Sequence, residues 1–272
     1  MGTLHRHSHR MGCQGIPRHP AVNSSPRRGG CRHALVLQHH PDEHPGSLRR
    51  LLEEMGFCLS TVELDAGEPI PALDAFDVLL VMGGPQQVWE DDEHPWLADE
   101  RAAIRTWVGA LRRPFLGVCL GHQLLADAMG GRVARMPRAE IGVLDVRRTP
   151  DGAKDRLFGL LPTVFPGLQW HEAEVVEAPP DSTVLAQSAA SPVQAFRVGH
   201  CALGVQFHVE VEPDTVSKWA AVPDYARTLA LEFGSADTLK RAVAAQLERM
   251  TAIAASLARA LLEDVTVAGV AP

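Results

Sequence analysis

The sequence predicts an α/β fold built on a doubly wound, largely parallel sheet, and three observations carry that prediction. From Ala34 onward, short apolar runs alternate with helical stretches, which is the pattern of buried parallel strands joined by right-handed crossovers. Two of the runs end in glycine-rich turns, Met82-Gly-Gly-Pro85 and Gly117-Val-Cys-Leu-Gly121, at the carboxyl ends where such sheets place their sites. The chain has 272 residues, 46% of them hydrophobic and 22% charged, which is material for one large globular domain or two small ones.

Taken in order, residues 1–33 mix His, Arg, Pro, Gly and Ser without apolar periodicity and are expected to form a disordered basic extension. Its functional readings are a transit peptide or a metal-binding tract at His5, His7 and His9; the plainer reading is a dispensable start. The domain is expected over residues 34–212. Strands are predicted at Ala34 to Gln38, Phe57 to Leu64, Val78 to Met82 and Phe115 to Val118, with helices at Ser47 to Met55, Pro95 to Leu111 and Leu120 to Met129. From Ile141 to Phe207 the pattern turns strand-rich, with runs at Val143 to Val146, Val175 to Glu177, Thr183 to Ala186, Val193 to Val198 and Ala202 to Phe207. These read as antiparallel strands of the same domain. Residues 213–272 are expected to be a helical extension, because Leu239, Val243, Leu247, Met250, Ala254, Leu257 and Leu261 fall three or four apart on one face. Packing on the parent domain is the first reading of that face, and a homo-oligomer or partner surface is the second.

Charge and cysteine usage exclude other classes. The formal net charge is −7, and setting aside the six arginines of residues 1–33 leaves a body more acidic still, which would repel nucleic acid. No apolar run approaches the length of a membrane-spanning helix, and the start lacks the apolar core of a secretory signal, so a cytoplasmic protein is expected. The five cysteines Cys13, Cys31, Cys58, Cys119 and Cys201 are odd in number and form no C-x-x-C pair. Cys58 and Cys201 sit in apolar runs and are expected to be inert core residues.

Cys119 is different. A buried run ending in G-x-C-x-G and entering a helix has the form of a nucleophile elbow with cysteine in place of serine. The helix N-terminus favours thiolate over thiol, since its unpaired N–H groups carry partial positive charge. A cysteine nucleophile needs a base and a group to orient that base. His208 and Glu210, two apart in extended backbone, point to the same side and supply both. The glycines of Met82-Gly-Gly-Pro85 let backbone N–H groups face a developing oxyanion.

With these residues in view, the chain resembles a class I (triad) glutamine amidotransferase domain, and among such domains it is similar to stand-alone members related to the amidotransferase half of GMP synthase. The resemblance runs from about Ala34 to Glu212. It includes Gln38-His39, Glu43 and Pro45-Gly46, Met82-Gly-Gly-Pro85, His94-Pro-Trp96, Gly117-Val-Cys-Leu-Gly-His-Gln123, Glu140-Ile-Gly142, Trp170-His171 and Gln206-Phe-His-Val-Glu210. It implies a flavodoxin-like sheet, a Cys119–His208–Glu210 triad, and an oxyanion hole at Gly84 and Leu120. The substrate pocket would lie at Gly83, Gln123, Trp170, His171 and Glu172. It implies no cofactor and no metal. Two departures stand out: Val209 replaces the usual proline between His and Glu, and Glu172-Ala173 replaces Gly-Asp, which puts a carboxylate near the pocket.

The activity so implied is hydrolysis of the glutamine side-chain amide, or a related γ-glutamyl amide, through a cysteine thioester. The sequence carries no G-x-x-x-x-G-K-[ST] loop to activate an acceptor, so a separate synthase subunit would receive the ammonia, or the enzyme is simply a hydrolase. The rivals are a γ-glutamyl peptidase or transferase acting on glutathione-like conjugates, and a non-catalytic binding or redox-sensing protein on the same fold. His39, His40, Asp42, Glu43 and His44 crowd one loop without the spacing of a known metal site and read as a border of the active site. His122, one helical turn from Cys119, belongs to the elbow motif without acting as its base.

Overall fold

In the computed structural model, which describes residues 31–267, the elements follow the predicted alternation. Strand β1 is Arg32–Gln38, α1 Ser47–Glu54, β2 Phe57–Glu63, β3 Val78–Val81, α2 Trp96–Arg105, β4 Phe115–Val118 and α3 Leu120–Ala128. Four further strands are β5 Arg132–Arg148, β6 Val164–Glu177, β7 Ser182–Gln187 and β8 Ala195–Val198, and a last one, β9 Ala202–Val205, brings the sheet to nine. Helices α4 Thr215–Trp219, α5 Pro223–Glu232 and α6 Ala236–Val267 follow. The His5, His7 and His9 tract and most of the basic extension lie outside the described residues; β1 opens at Arg32, two residues ahead of the expected Ala34.

The nine strands form one sheet in the order β2-β1-β3-β4-β9-β8-β7-β5-β6. The pairs from β2 to β9 are parallel, and those from β9 to β6 antiparallel. Strands β3, β4 and β9 are buried at every residue, which is why they read as continuous apolar runs. On one face Trp107, Leu97, Ile104 and Leu124 cover the sheet, and on the other Leu48, Leu52 and the apolar stripe of α6. Leu239, Val243, Met250, Ala254, Leu257 and Leu261 are buried, and α6 touches α1, α4, β5 and β6. No helix among the described residues is long and apolar enough to cross a membrane.

Several boundaries move. The predicted Pro95 to Leu111 helix divides into α2 and a wider π-helical turn over Thr106–Leu111, which lets Trp107 reach the core and donate to the Pro114 carbonyl at 3.0 Å. Strands β5 and β6 are far longer than Val143 to Val146 and Val175 to Glu177, because they pair with each other almost end to end across a register shift between Arg135 and Glu140. The cysteine expectation is corrected. Cys58 faces outward on β2 and forms a disulfide with the exposed Cys31, while Cys201 is half-buried in the turn before β9, its thiol donating to the Arg112 carbonyl at 3.2 Å. A seven-residue strand at a sheet edge alternates its faces, so an apolar run does not bury every member.

Candidate functional site

Cys119 turns β4 into α3 with φ 51° and ψ −104°, a conformation that costs a residue with a Cβ about 1–3 kcal/mol. The surroundings impose it. The Cys119 N–H donates to the Val205 carbonyl on β9 at 2.9 Å, and the Gly121 N–H donates to Met82 at the end of β3 at 3.1 Å. A Cβ on Gly121 would be driven into the Val81 carbonyl, and one on Gly117 into the Gly121 carbonyl, so this close approach requires glycine at both. The cysteine side chain is thus fixed at the carboxyl end of the parallel strands, 5% exposed.

His208 lies beyond the end of β9, which closes at Val205 rather than at the expected Phe207. It is held there by a two-bond bridge to β6: its N–H donates to Leu168 at 2.8 Å and its carbonyl accepts from Leu168 at 3.0 Å. The Glu210 carboxylate bonds His208 Nδ1 at 2.6 Å and also accepts the Val209 N–H at 2.9 Å. Val209, where the resemblance implies proline, thus carries an N–H that fixes the carboxylate. The Trp219 ring packs edge-on against the imidazole at 4.7 Å. Burial alone would lower the pKa of His208, but Glu210 and Cys119 outweigh it and hold it well above its ordinary value. The imidazolium is therefore favoured beside the thiol.

A cavity of about 260 Å³ opens over Cys119. Gly84, Leu120, Gln123, Trp170, His171 and Glu172 all line it, and Gly83 does not. Gly83 instead turns its carbonyl to His39. Among the described residues, no hydrogen bond engages the N–H of Gly84 or of Leu120, the first residue of α3. The Gln123 amide is spent on structure, donating to Ala173 at 3.0 Å and to Gln206 at 3.1 Å. His171 is bonded to Ala173, Gln169 and Glu140. Glu172 is tied on one oxygen to Arg135 at 2.9 Å and on the other to the Thr228 hydroxyl.

The crowded first loop sends its side chains in different directions. His39 is fully buried against Glu100, His40 and His44 accept backbone N–H groups of Asp42 and Gly46, and Glu43 accepts from the Tyr225 hydroxyl at 2.5 Å. Burial raises the Glu43 carboxyl to about 7, against the opposing effect of His208. His122, on α3, packs its ring against that of Phe196 at 4.8 Å, and burial pushes its pKa down to about 3. No group of three or more metal-ligating side chains is found among the described residues.

Three participants were given no role of their own by the sequence. Gln206 reaches Cys119 Sγ with its amide at 3.6 Å, and a signal was there to be read: it lies two residues before His208, on the same side of an extended segment. Tyr225, the chain's one tyrosine, joins the cavity wall from α5 together with Asp224, Arg227 and Thr228. Glu100 on α2 holds His39 and carries no local signal at all.

Comparison with known proteins places this geometry among relatives. The family model described as glutamine amidotransferase class-I matches residues 36–218. The chain is 32% identical over 182 residues to the glutamine amidotransferase-like protein YfeJ of Salmonella typhimurium, covering 65% of this chain and 75% of that one. It is 33% identical over 190 residues to the glutamine-hydrolyzing GMP synthase of Aeropyrum pernix, covering 66% of this chain and only 34% of that protein. With one subunit of the glutamine-hydrolyzing GMP synthase of Ignicoccus hospitalis it shares 38% identity over 145 residues, 53% of this chain and 72% of that one. Among solved structures, a glutamine amidotransferase from Thermotoga maritima superposes with a TM-score of 0.77 at 25% identity, over 85% of this chain and 98% of that one.

Proposed function

Since the chain belongs to the class I glutamine amidotransferase family, we propose that it hydrolyses the side-chain amide of glutamine, or a related γ-glutamyl amide, through a thioester on Cys119. The observation that carries the reading is the line from Glu210 through His208 to Cys119, closing on a cavity beside two unengaged backbone N–H groups.

The Cys119 thiolate, paired with the His208 imidazolium, attacks the carboxamide carbon. The oxygen takes up negative charge and accepts the Gly84 and Leu120 N–H groups. His208 gives its proton to the nitrogen, and ammonia departs, leaving a γ-glutamyl thioester. His208 then takes a proton from water, which attacks the thioester, and glutamate leaves with the thiolate restored. Glu210 holds the imidazole orientation throughout. Trp170, His171, Gln123 and Glu172 form the substrate walls.

Ammonia passes to a separate synthase subunit; the support is that several relatives are named as one subunit of a GMP synthase. A second reading, γ-glutamyl peptide hydrolysis, is favoured by one observation. Arg135, Glu172, Arg227 and Thr228 line both the Cys119 cavity and an adjoining cleft of about 270 Å³, giving room for a substrate longer than glutamine. Purified protein assayed with glutamine and a panel of γ-glutamyl dipeptides, reading ammonia, released amino acid and glutamate, tests both. Ammonia and glutamate from glutamine are expected, and no turnover of any member of the panel would overturn the proposal.

A further inference from the structure

His39 and Glu100 are both fully buried, and the sequence suggested no role for either beyond the border of the site. His39 Nε2 lies 2.9 and 3.1 Å from the two Glu100 oxygens, and Nδ1 lies 2.9 Å from the Gly83 carbonyl. A carboxylate and a carbonyl only accept, so both ring nitrogens donate and the ring is an imidazolium. Burial opposes that charge, but Glu100 overcomes it and the His39 pKa is raised. The Trp96 ring stacks on the imidazole at 5.4 Å and 14°, and the Gln86 amide donates to the His39 carbonyl at 3.1 Å. Nothing in this arrangement is free to turn.

The Gly83 carbonyl shares a peptide unit with the Gly84 N–H. The bond is trans, so the two groups point in opposite directions in one plane. Drawing the carbonyl toward His39 therefore drives the Gly84 N–H the other way, toward the cavity that Gly84 lines with Cys119 and Leu120. Two glycines in a row impose little preference of their own on this peptide. Without an outside anchor it could rotate and present the carbonyl, an acceptor, to a developing oxyanion.

We propose that the His39–Glu100 pair is a positioning device for the oxyanion hole: through the Gly83 carbonyl it locks the Gly83–Gly84 peptide with its N–H facing the carbon that Cys119 attacks. The inference rests on the amide-hydrolysis reading above. Beside the His171–Glu140 contact in the cavity wall, the site then contains two imidazole–carboxylate pairs with separate tasks. His208–Glu210 manages the proton, and His39–Glu100 aims the donor.

The test separates oxyanion stabilisation from thiolate reactivity. Alkylation of Cys119 by iodoacetamide passes through no oxyanion, whereas glutamine hydrolysis does. For His39→Leu, kcat is expected to fall about 10²- to 10³-fold, as for loss of one oxyanion donor, with KM and the iodoacetamide rate constant at Cys119 within about threefold of wild type. His39→Asn, which keeps an amide donor for the Gly83 carbonyl, should recover at least tenfold of that loss. If His39→Leu does not fold because Glu100 is left buried and unpaired, the double variant His39→Leu/Glu100→Leu removes both charges and carries the same expectation. Unchanged turnover in these variants, or an alkylation rate that falls in step with turnover, overturns the inference. Absence of γ-glutamyl amide hydrolysis by the wild-type chain overturns the functional reading itself, and the inference with it.

Discussion

Strands β3, β4 and β9 are short and buried at every position, whereas β5 runs for 17 residues with exposed and buried positions interleaved, and its 14-residue partner β6 is buried from Phe165 to His171 and exposed at its last residue. The first group belongs to the parallel half of the sheet and ends in Gly83-Gly84, Cys119 and the segment leading to His208. The second belongs to the antiparallel half and supplies Arg135, Trp170, His171 and Glu172 to the cavity wall, facing α5. The difference teaches a division of labour. Residues that would make and break bonds sit on short elements buried throughout, and residues that would choose the substrate sit on a long ribbon that runs from the buried Trp170 and His171 to the half-buried Glu172 and the exposed Arg135.

If that division holds, changes in the parallel half should end turnover and changes in the antiparallel half should redirect it. The largest effect is expected from Cys119→Ala, with glutamine hydrolysis reduced at least ~10⁴-fold and the melting temperature within about 2 °C. Cys119→Gly should be as inactive yet more stable by about 1 kcal/mol, since glycine accepts the positive φ without strain; differential scanning calorimetry reads the shift. Residual turnover above a hundredth of wild type in either variant would break the comparison.

Next come the residues proposed to handle the proton. His208→Asn is expected to lower kcat about 10³- to 10⁴-fold, and Glu210→Gln about 10- to 10²-fold, because an orienting group acts through the imidazole. Equal and small losses from both would send the search for a base to His171, which the Glu140 and Gln169 contacts now occupy. On the antiparallel side, Glu172→Ala frees Arg135 and Thr228, and we expect the ratio of kcat/KM for γ-glutamyl dipeptides to that for glutamine to change about tenfold with kcat for glutamine nearly unaltered. A collapse of kcat there would erase the distinction between the halves.

The effect that is smallest at neutral pH concerns stability in acid. His122 is neutral in the fold down to about 3, against 6.5 for the free side chain, so between those values the unfolded chain binds a proton that the native chain refuses. Its contribution is complete above pH 6.5 and declines by about 1.4 kcal/mol per unit as the pH falls toward 3. His122→Asn should remove that slope, measured by urea unfolding at successive pH values. An unchanged slope would mean that the acid sensitivity of the buried elbow originates elsewhere.

The parallel half was legible because burial on both faces leaves continuous apolar runs, and because the turns that follow them need glycine. Gly117, Gly121 and Cys119 could be read together for that reason. The wall residues from α5 could not be: Tyr225 meets Glu43 across 182 residues of sequence, a contact that no local pattern encodes. The full lengths of β5 and β6 were hidden by Pro137 and by the register shift beside it, which interrupt the alternation that would announce a strand. His39 was read only as part of a loop bordering the site, and its task stayed hidden because its partner Glu100 lies 61 residues further on. Cys58 failed as a core residue for the reason that one face of an edge strand looks outward.

The pairing of β4 with β9 has a consequence in time. The elbow around the cysteine is complete in the chain by residue 121, yet the strand that holds its N–H, and the histidine proposed to handle its proton, arrive more than 80 residues later. A strand that must insert between β4 and β8 closes a long loop, and such non-local pairing is slow. During synthesis and refolding there is thus an interval in which Cys119 is an ordinary thiol with no imidazolium beside it. If Cys119 is the nucleophile proposed above, its reactivity begins only with the last parallel strand, and a half-made or locally unfolded chain is spared the adventitious alkylation and oxidation to which the finished site would be open.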